Sequence, residues 1–293
     1  MTRSASPPTE RVLDVVELLA SPAGAGSRLV DVARRLDISQ GTAHAILAVL
    51  VARGWVSRDP VDRTFSLGPA LGVTAALADG SRPLAHAAHT AAIRLSSELG
   101  LAASVTERSG DVIVLTFFGG GGSELEALPP GERIPFAAPF GPGFAAWEPE
   151  DGRLAWIGRG AASSPGLAAR LTAYLDDTRA RGHSIERMSP ALVRTAQLMR
   201  SLEGDPSSDP VRRIIDDALV DVAAAGLEPD TGDGDERPVT ALSAPVFDRH
   251  GLVVLNVAVH PFRVLDTTAV AALAGSLTEA TTGISASLGA PEA

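Results

Sequence analysis

The sequence has no cysteine, no lysine and a single tyrosine, and aromatic residues make up only 4% of it. Without cysteine there is no disulfide, no thiolate metal site and no catalytic thiol. Every apolar run is broken by charge, glycine or proline before it reaches bilayer-spanning length. The beginning also lacks the basic-then-apolar pattern of a secretory signal. A cytoplasmic protein with no membrane partner is therefore expected. Neither Gly-x-Ser-x-Gly nor His-Glu-x-x-His occurs, and no motif singles out a catalytic pair or asks for a cofactor.

What remains is a chain of 293 residues, 45% hydrophobic and 20% charged. That is length for about two domains and enough apolar side chain for real cores. The net charge of −10 is unevenly spread. Residues 1–70 hold 8 arginines against 7 acidic residues, and the remainder holds 17 against 28. The first part is thus near neutral and not repelled by phosphate, whereas the acidic remainder is expected to face away from it.

The stretch from Ser39 to Leu50 carries the strongest local signal. Ser39 is a favourable N-cap. Ala43, Ile46, Leu47 and Leu50 fall on one helical face, and Gly54 suits the left-handed residue that ends a helix. Two helices are expected before it: one capped by Thr9 after a polar tail over 1–8, the other over Leu29–Leu36 with Arg34 and Arg35 outward. After it, Trp55–Arg58 and Arg63–Leu67 flank a turn at 59–62 and read as a hairpin. Three helices and a hairpin make a winged helix-turn-helix. The second helix of that motif enters the DNA major groove, which nominates Ser39, Gln40, Gly41, Thr42, His44 and Ala45 for DNA contact. Arg58 and Arg63 on the wing would meet phosphate or the minor groove. Each of these side chains is also compatible with plain solvated surface.

From 69 the pattern resumes as a helix, interrupted at Asp79-Gly80-Ser81, with Leu71, Ala75 and Leu77 available to a partner subunit. Pro83 opens a longer helix ending at Gly100. Hairpins at 104–118 and 239–260, a helix over 167–181, a strand over 183–188 and a final helix capped by Asp266 make an α+β domain. Gly119–Gly122 lacks the Lys-Ser/Thr of a phosphate loop and is expected to be mobile. His86 and His89 have a metal-compatible spacing but no third ligand nearby. Residues 189–238 stand apart: helical patterns around Pro190–Leu202 and Val211–Gly226, then an acidic, glycine-rich run.

This order of elements resembles the IclR family of bacterial transcriptional regulators. The resemblance is carried by Leu29–Leu36 with Thr42-Ala43-His44, by Gly54 through Asp59-Pro60 to Leu67-Gly68-Pro69, by Ile134-Pro135-Phe136, and by Leu242–Asp248 followed by Gly251. It implies a winged helix over 1–68, a linker helix over 69–82, and a GAF-like effector-binding domain over 83–293 with an insertion at about 189–238. It further implies double-stranded DNA with a palindromic operator as a partner and a homodimer or homotetramer as the working form. A small-molecule effector would lie near Phe118, Phe140, Gly141, Ala241, Ser243, Asn256, Ala258 and His260. The commonest family pattern has Ser at Gly41, Arg at Ala45, Gly-Lys near 142–143 and small hydroxyls at Ala258 and His260, so this chain's effector is expected to be rather apolar. His260 reads equally as an effector ligand or a satisfied core residue. Two other functions fit the same chain. One is a small-molecule-converting enzyme with an N-terminal oligomerisation module. The other is an effector-free regulator docking a protein through the 190–226 helices.

Overall fold

The computed structural model describes residues 6–21, 23–121, 130–161, 165–187, 237–287 and 289–290. Contacts divide the chain into two compact units, residues 1–83 and 84–293.

The first unit holds α1 (Pro7–Ala20), α2 (Leu29–Arg35), α3 (Gln40–Ala52), the hairpin β1 (Val56–Arg58) and β2 (Phe65–Leu67), and α4 (Pro69–Ser81). The apolar positions read from the helical period converge as expected. Val15, Leu19, Val32, Ala33, Ala43, Leu47, Leu50, Val56 and Phe65 form one buried cluster. α1 starts two residues before Thr9, because Pro7 occupies the first turn, where its fixed φ is preorganised and its missing N–H costs nothing. The tail expected over 1–8 is therefore helical at its end. α3 ends as predicted: Gly54 has φ +71°, and the Trp55 N–H reaches back to the Leu50 carbonyl. The interruption expected at Asp79-Gly80-Ser81 does not occur. The helix runs through Ser81 and stops before Pro83, which disfavours helical backbone at the residue preceding it.

The second unit is built on a six-stranded antiparallel sheet. Its strands are β3 (Ala102–Ser109), β4 (Val112–Gly119), β5 (Arg133–Pro135), β6 (Ser184–Arg187), β7 (Val239–Phe247) and β8 (Val253–His260). Their order across the sheet is β5-β4-β3-β8-β7-β6. α5 (Pro83–Leu99) and α9 (Thr267–Ser287) cover one face through Ala88, Ala92, Leu95, Ala274 and Leu277. The other face carries α6 (Pro142–Ala145), α7 (Glu150–Ala161) and α8 (Pro165–Arg181) around Phe136, Phe144, Trp156, Leu171 and Tyr174. β6 and β7 are neighbours although they are more than 50 residues apart in sequence; most of the insertion expected at 189–238, from 189 to 236, lies outside the described residues. Among the described residues no helix is long and apolar enough to cross a membrane.

The loop expected over Gly119–Gly122 is described only as far as Gly121, and the rest lies outside the described residues. A Cβ on Gly120 would collide with the Ser96 side chain, and one on Gly121 with the Ala102 backbone. Both have positive φ. At these two positions glycine lets a left-handed chain pass close to Ser96 and to the start of β3.

Candidate functional site

In the first unit, Ser39 accepts a hydrogen bond from the Thr42 N–H at 3.1 Å, and the two hydroxyls lie 2.9 Å apart. Ser39 and Thr42 thus close the start of α3 on each other, and Thr42 is only half exposed. Gln40, Gly41, His44 and Ala45 are exposed. Further along the same helix Ala48, Val49 and Ala52 are exposed too, Val49 to 57%. No residue of α3 is charged, so its outer surface offers two hydrogen-bonding side chains, Gln40 and His44, and otherwise methyl groups. Amide and imidazole groups suit base edges, and methyls suit the thymine 5-methyl.

The cations flank this helix. Arg28, His44, Arg58 and Arg63 line one groove of about 560 Å³ whose floor is Leu47, Val51 and Phe65. The Arg58 guanidinium lies 5.7 Å from the Phe65 ring centre. The wing turn is held by Asp59, whose carboxylate accepts the N–H groups of Val61 and Asp62 at 2.7 and 2.8 Å. Those two bonds hold its pKa below the usual value. Arg28 is not marked by sequence, where it occupies an unremarked N-cap position of α2; only folding brings it beside the wing. If these arginines meet phosphate, replacing each of Arg28, Arg58 and Arg63 by Gln should flatten the dependence of log affinity on log salt by about one contact's worth, close to 0.9 per phosphate. Titrations between 50 and 200 mM salt, on the scale where such contacts are felt, measure it. An unchanged slope removes that arginine from the interface.

In the second unit, register gathers most of the nominated effector residues on one face of the sheet. Ser104 lies opposite both Phe118 and Ala258, and Ala258 lies opposite Ser243. Ser243 in turn faces Ser184, and their hydroxyls are 2.6 Å apart. One residue row away, Ala102 faces His260; on the other side Asn256 faces Thr106 and Pro245. Ala241 faces Glu186. Phe140 and Gly141 are tied elsewhere. The Phe140 carbonyl accepts the Trp156 indole N–H at 2.8 Å, and Gly141 is packed on Ile113. In that turn it is Gly143 that lies on the polar row. A Cβ there would stand 2.7 Å from Asn256 Oδ1 and 3.0 Å from Ser243 Oγ. Ser104, Ser184 and Glu186 join the row only through strand pairing, and Gly143 only through the packing of α6 on it, which no local pattern reveals.

His260 is fixed at both nitrogens. Nδ1 lies 3.2 Å from the Thr240 carbonyl, which only accepts, so Nδ1 carries the proton. Nε2 then accepts the Ser104 hydroxyl at 2.9 Å. Its ring stacks on Phe262 and lies 5.2 Å from Phe118. Burial lowers its pKa to about 4, while burial raises that of Glu186 to about 7. Asn256 is 4% exposed, and neither atom of its amide has a hydrogen-bond partner. His89, by contrast, is held by Thr116 Oγ1 at 3.0 Å. Among the described residues no group of three potential metal ligands occurs.

The two shifted groups act on stability in opposite senses. His260 stays neutral in the fold while its unfolded counterpart takes a proton below about 6.5, so its contribution is intact above that pH and falls on acidification toward 4. Glu186 keeps its proton up to about 7 in the fold, whereas the unfolded carboxyl loses it near 4.5; stability therefore declines as pH rises between those values. Glu186→Gln should steepen the acid loss between pH 6.5 and 4.5, and His260→Asn should reverse its sign. Urea midpoints at pH 7.5 and 5 measure both, and parallel curves for the two variants contradict the assignment.

Comparison with known proteins fits this geometry. Residues 8–60 match the IclR helix-turn-helix domain model. That match runs from α1 into the turn between β1 and β2. Over 60 residues the chain is 35% identical to the HTH-type transcriptional regulator BhcR of Paracoccus denitrificans, a match covering 20% of this chain and about a fifth, 21%, of that protein. The fold as a whole is that of IclR regulators. A crystal structure of an IclR transcriptional regulator from Alicyclobacillus acidocaldarius superposes with TM-score 0.65 at 19% identity, covering 97% of this chain and 99% of that one. HmgR of Pseudomonas aeruginosa gives 0.63 at 19%, covering 97% and 100%. An IclR homolog from Microbacterium hydrocarbonoxydans complexed with 4-hydroxybenzoate gives 0.64 at 16%, covering 96% and 98%. The IclR resemblance and the α+β fold expected from the sequence are thus both borne out.

Proposed function

We propose that this chain is a ligand-responsive transcriptional regulator that binds double-stranded DNA as a homodimer or homotetramer. The observation that carries the reading is the IclR-type recognition helix, with Gln40 and His44 outward and three arginines around the groove beside it. A nearly neutral binding unit gains useful affinity by linking two copies, and α4 offers a contact for that purpose, with Val73 61% and Leu77 73% exposed. Two linked recognition helices call for a palindrome with half-sites about one helical turn apart, or a multiple of it.

The effector face is the row Ser104, Ser243, Asn256, Ala258 and His260. It presents hydroxyl, amide and neutral imidazole groups beside Phe118 and Phe262, which suits a ligand with an apolar body and uncharged hydrogen-bonding groups. Such a ligand acts only through its differential affinity for two arrangements of the protein. An enzyme is the weaker reading. The one Ser–His pair on this face has its hydroxyl buried, and the imidazole that would serve as base has a depressed pKa.

Selection of duplexes by the purified full chain from a random pool tests the proposal. Recovered sequences should share two inverted half-sites and bind at least 10³-fold more tightly than random DNA. A pool that returns no common sequence overturns it. With a selected duplex in hand, 4-hydroxybenzoate, bound by one structural relative, and its uncharged amide are the first probes for a change in affinity, with the amide expected to act more strongly.

A further inference from the structure

Asp59 follows Arg58 directly and closes the turn that leads to Arg63, so a carboxylate sits between the two wing arginines of the groove beside α3. Among the described residues it forms no ion pair with either. Its bonding goes to the backbone of the turn instead. Oδ1 accepts the N–H groups of Val61 and Asp62 at 2.7 and 2.8 Å. The Asp59 carbonyl accepts the Arg63 N–H at 3.1 Å, and the Asp59 N–H donates to the Thr64 carbonyl at 2.9 Å. One residue thus ties the turn together from both ends.

The chain leaves this turn through Arg63 at φ +56°. Left-handed backbone crowds Cβ against the next carbonyl, and glycine alone adopts it freely. An arginine at this position is therefore held against its own preference, which requires surroundings that over-determine the backbone. The bonds from Asp59 are those surroundings. Arg63 is exposed, and among the described residues its guanidinium has no hydrogen bond or ion pair. Nothing described in the fold uses the charge that the strained position carries. Arg58 differs. It lies opposite Phe65 in the strand pairing and over the Phe65 ring, so its place is set by β1 and β2 rather than by the turn.

We propose that Asp59 is a positioning residue for DNA binding: by closing the wing turn it fixes the backbone from which Arg63 reaches phosphate. The proposal rests on the regulator reading given above. The expected sign is opposite to that of plain electrostatics. A carboxylate beside two phosphate-binding arginines repels the polyanion, so by charge alone its removal tightens binding. As a positioning residue, Asp59 weakens binding when it is removed. Asp62 supplies the comparison. It carries the same charge in the same turn, is exposed, and its carboxylate accepts no hydrogen bond among the described residues.

The test is the affinity of the full chain for a random duplex as a function of salt, with urea midpoints as a fold control. Asp62→Asn should bind slightly more tightly than the parent. Asp59→Asn, which keeps the acceptor oxygen, should match Asp62→Asn. Asp59→Ala should bind roughly 3- to 10-fold more weakly than Asp59→Asn and lose about 0.9 from the salt slope, the value of one phosphate contact. Asp59→Glu keeps the charge but moves the acceptor, so it should weaken binding too, and it decides the matter where the alanine variant does not fold. Arg63→Gly should lose the same slope while its urea midpoint holds or rises, because glycine accepts the left-handed backbone. Adding Asp59→Ala to Arg63→Gly should then cost no further affinity. Three results overturn the proposal: Asp59→Ala and Asp59→Glu binding as tightly as Asp59→Asn, a full further loss on top of Arg63→Gly, or a slope lowered by two contacts, which marks collapse of the whole wing. A parent chain that binds no duplex overturns the regulator reading and this proposal together. With the parent binding, the other outcomes touch this proposal alone.

Discussion

Replacing Gln40 and His44 together by alanine is expected to erase sequence selection while leaving the protein folded. Both side chains are exposed on α3, and none of the buried cluster of the first unit depends on them. Alanine is the best helix former, so the substitution does not weaken the helix. A well-placed contact to a base edge is worth about 1–3 kcal/mol of discrimination. Losing two costs about 2–6 kcal/mol, or roughly 30-fold to 10⁴-fold in specific affinity. Affinity for random DNA should barely move, because the arginines at 28, 58 and 63 remain. Competition binding against random duplex, with circular dichroism as a fold control, separates the two quantities. A variant that still prefers the selected duplex by its original factor would take these residues out of base reading.

The second large effect is expected in the other unit. Trp156→Ala removes a fully buried side chain from the centre of the second core. Large aromatic truncations in cores cost about 3–5 kcal/mol. Here the indole N–H also donates to the half-buried Phe140 carbonyl at 2.8 Å, and leaving that acceptor unpaired adds up to about 1–3 kcal/mol. The unfolding transition of the C-terminal unit should fall by about 8–30 °C at about 2–4 °C per kcal/mol. Trp156→Phe keeps most of the volume and loses only the hydrogen bond, so it should recover most of the stability. Calorimetry measures both; a loss under 1 kcal/mol in the alanine variant contradicts the role given to this residue.

Elements with a strong local cause were legible before any coordinates. Ser39 caps α3 because of its hydroxyl, Gly54 ends that helix because it tolerates positive φ, and Asp266 accepts the Ala269 N–H at 2.7 Å to start α9. α7 was not legible: Gly152, Gly158 and Gly160 dilute its apolar period, although Trp156 and Ile157 bury it. Gly160 is there for contact, since a Cβ would strike the Ala138 backbone. Membership of the polar row was legible only in part. Ser243, Asn256 and His260 lie on strands with clear alternation, whereas Ser184 and Glu186 meet them across a pairing of distant segments. Arg28 needed the third dimension entirely, since the wing that faces it is 30 residues away in sequence.

If α3 reads DNA as proposed, its lack of charge has a consequence for how this protein evolves. Strength of grip and choice of target would then be held by different residues. Adding or removing an arginine on the wing would change the hold on any DNA alike, while an exchange at Gln40, His44 or the bare methyl surface would redirect the preference at little electrostatic cost. A lineage built on this plan would be free to acquire new promoters one helix position at a time, without first rebalancing its attraction to the rest of the chromosome.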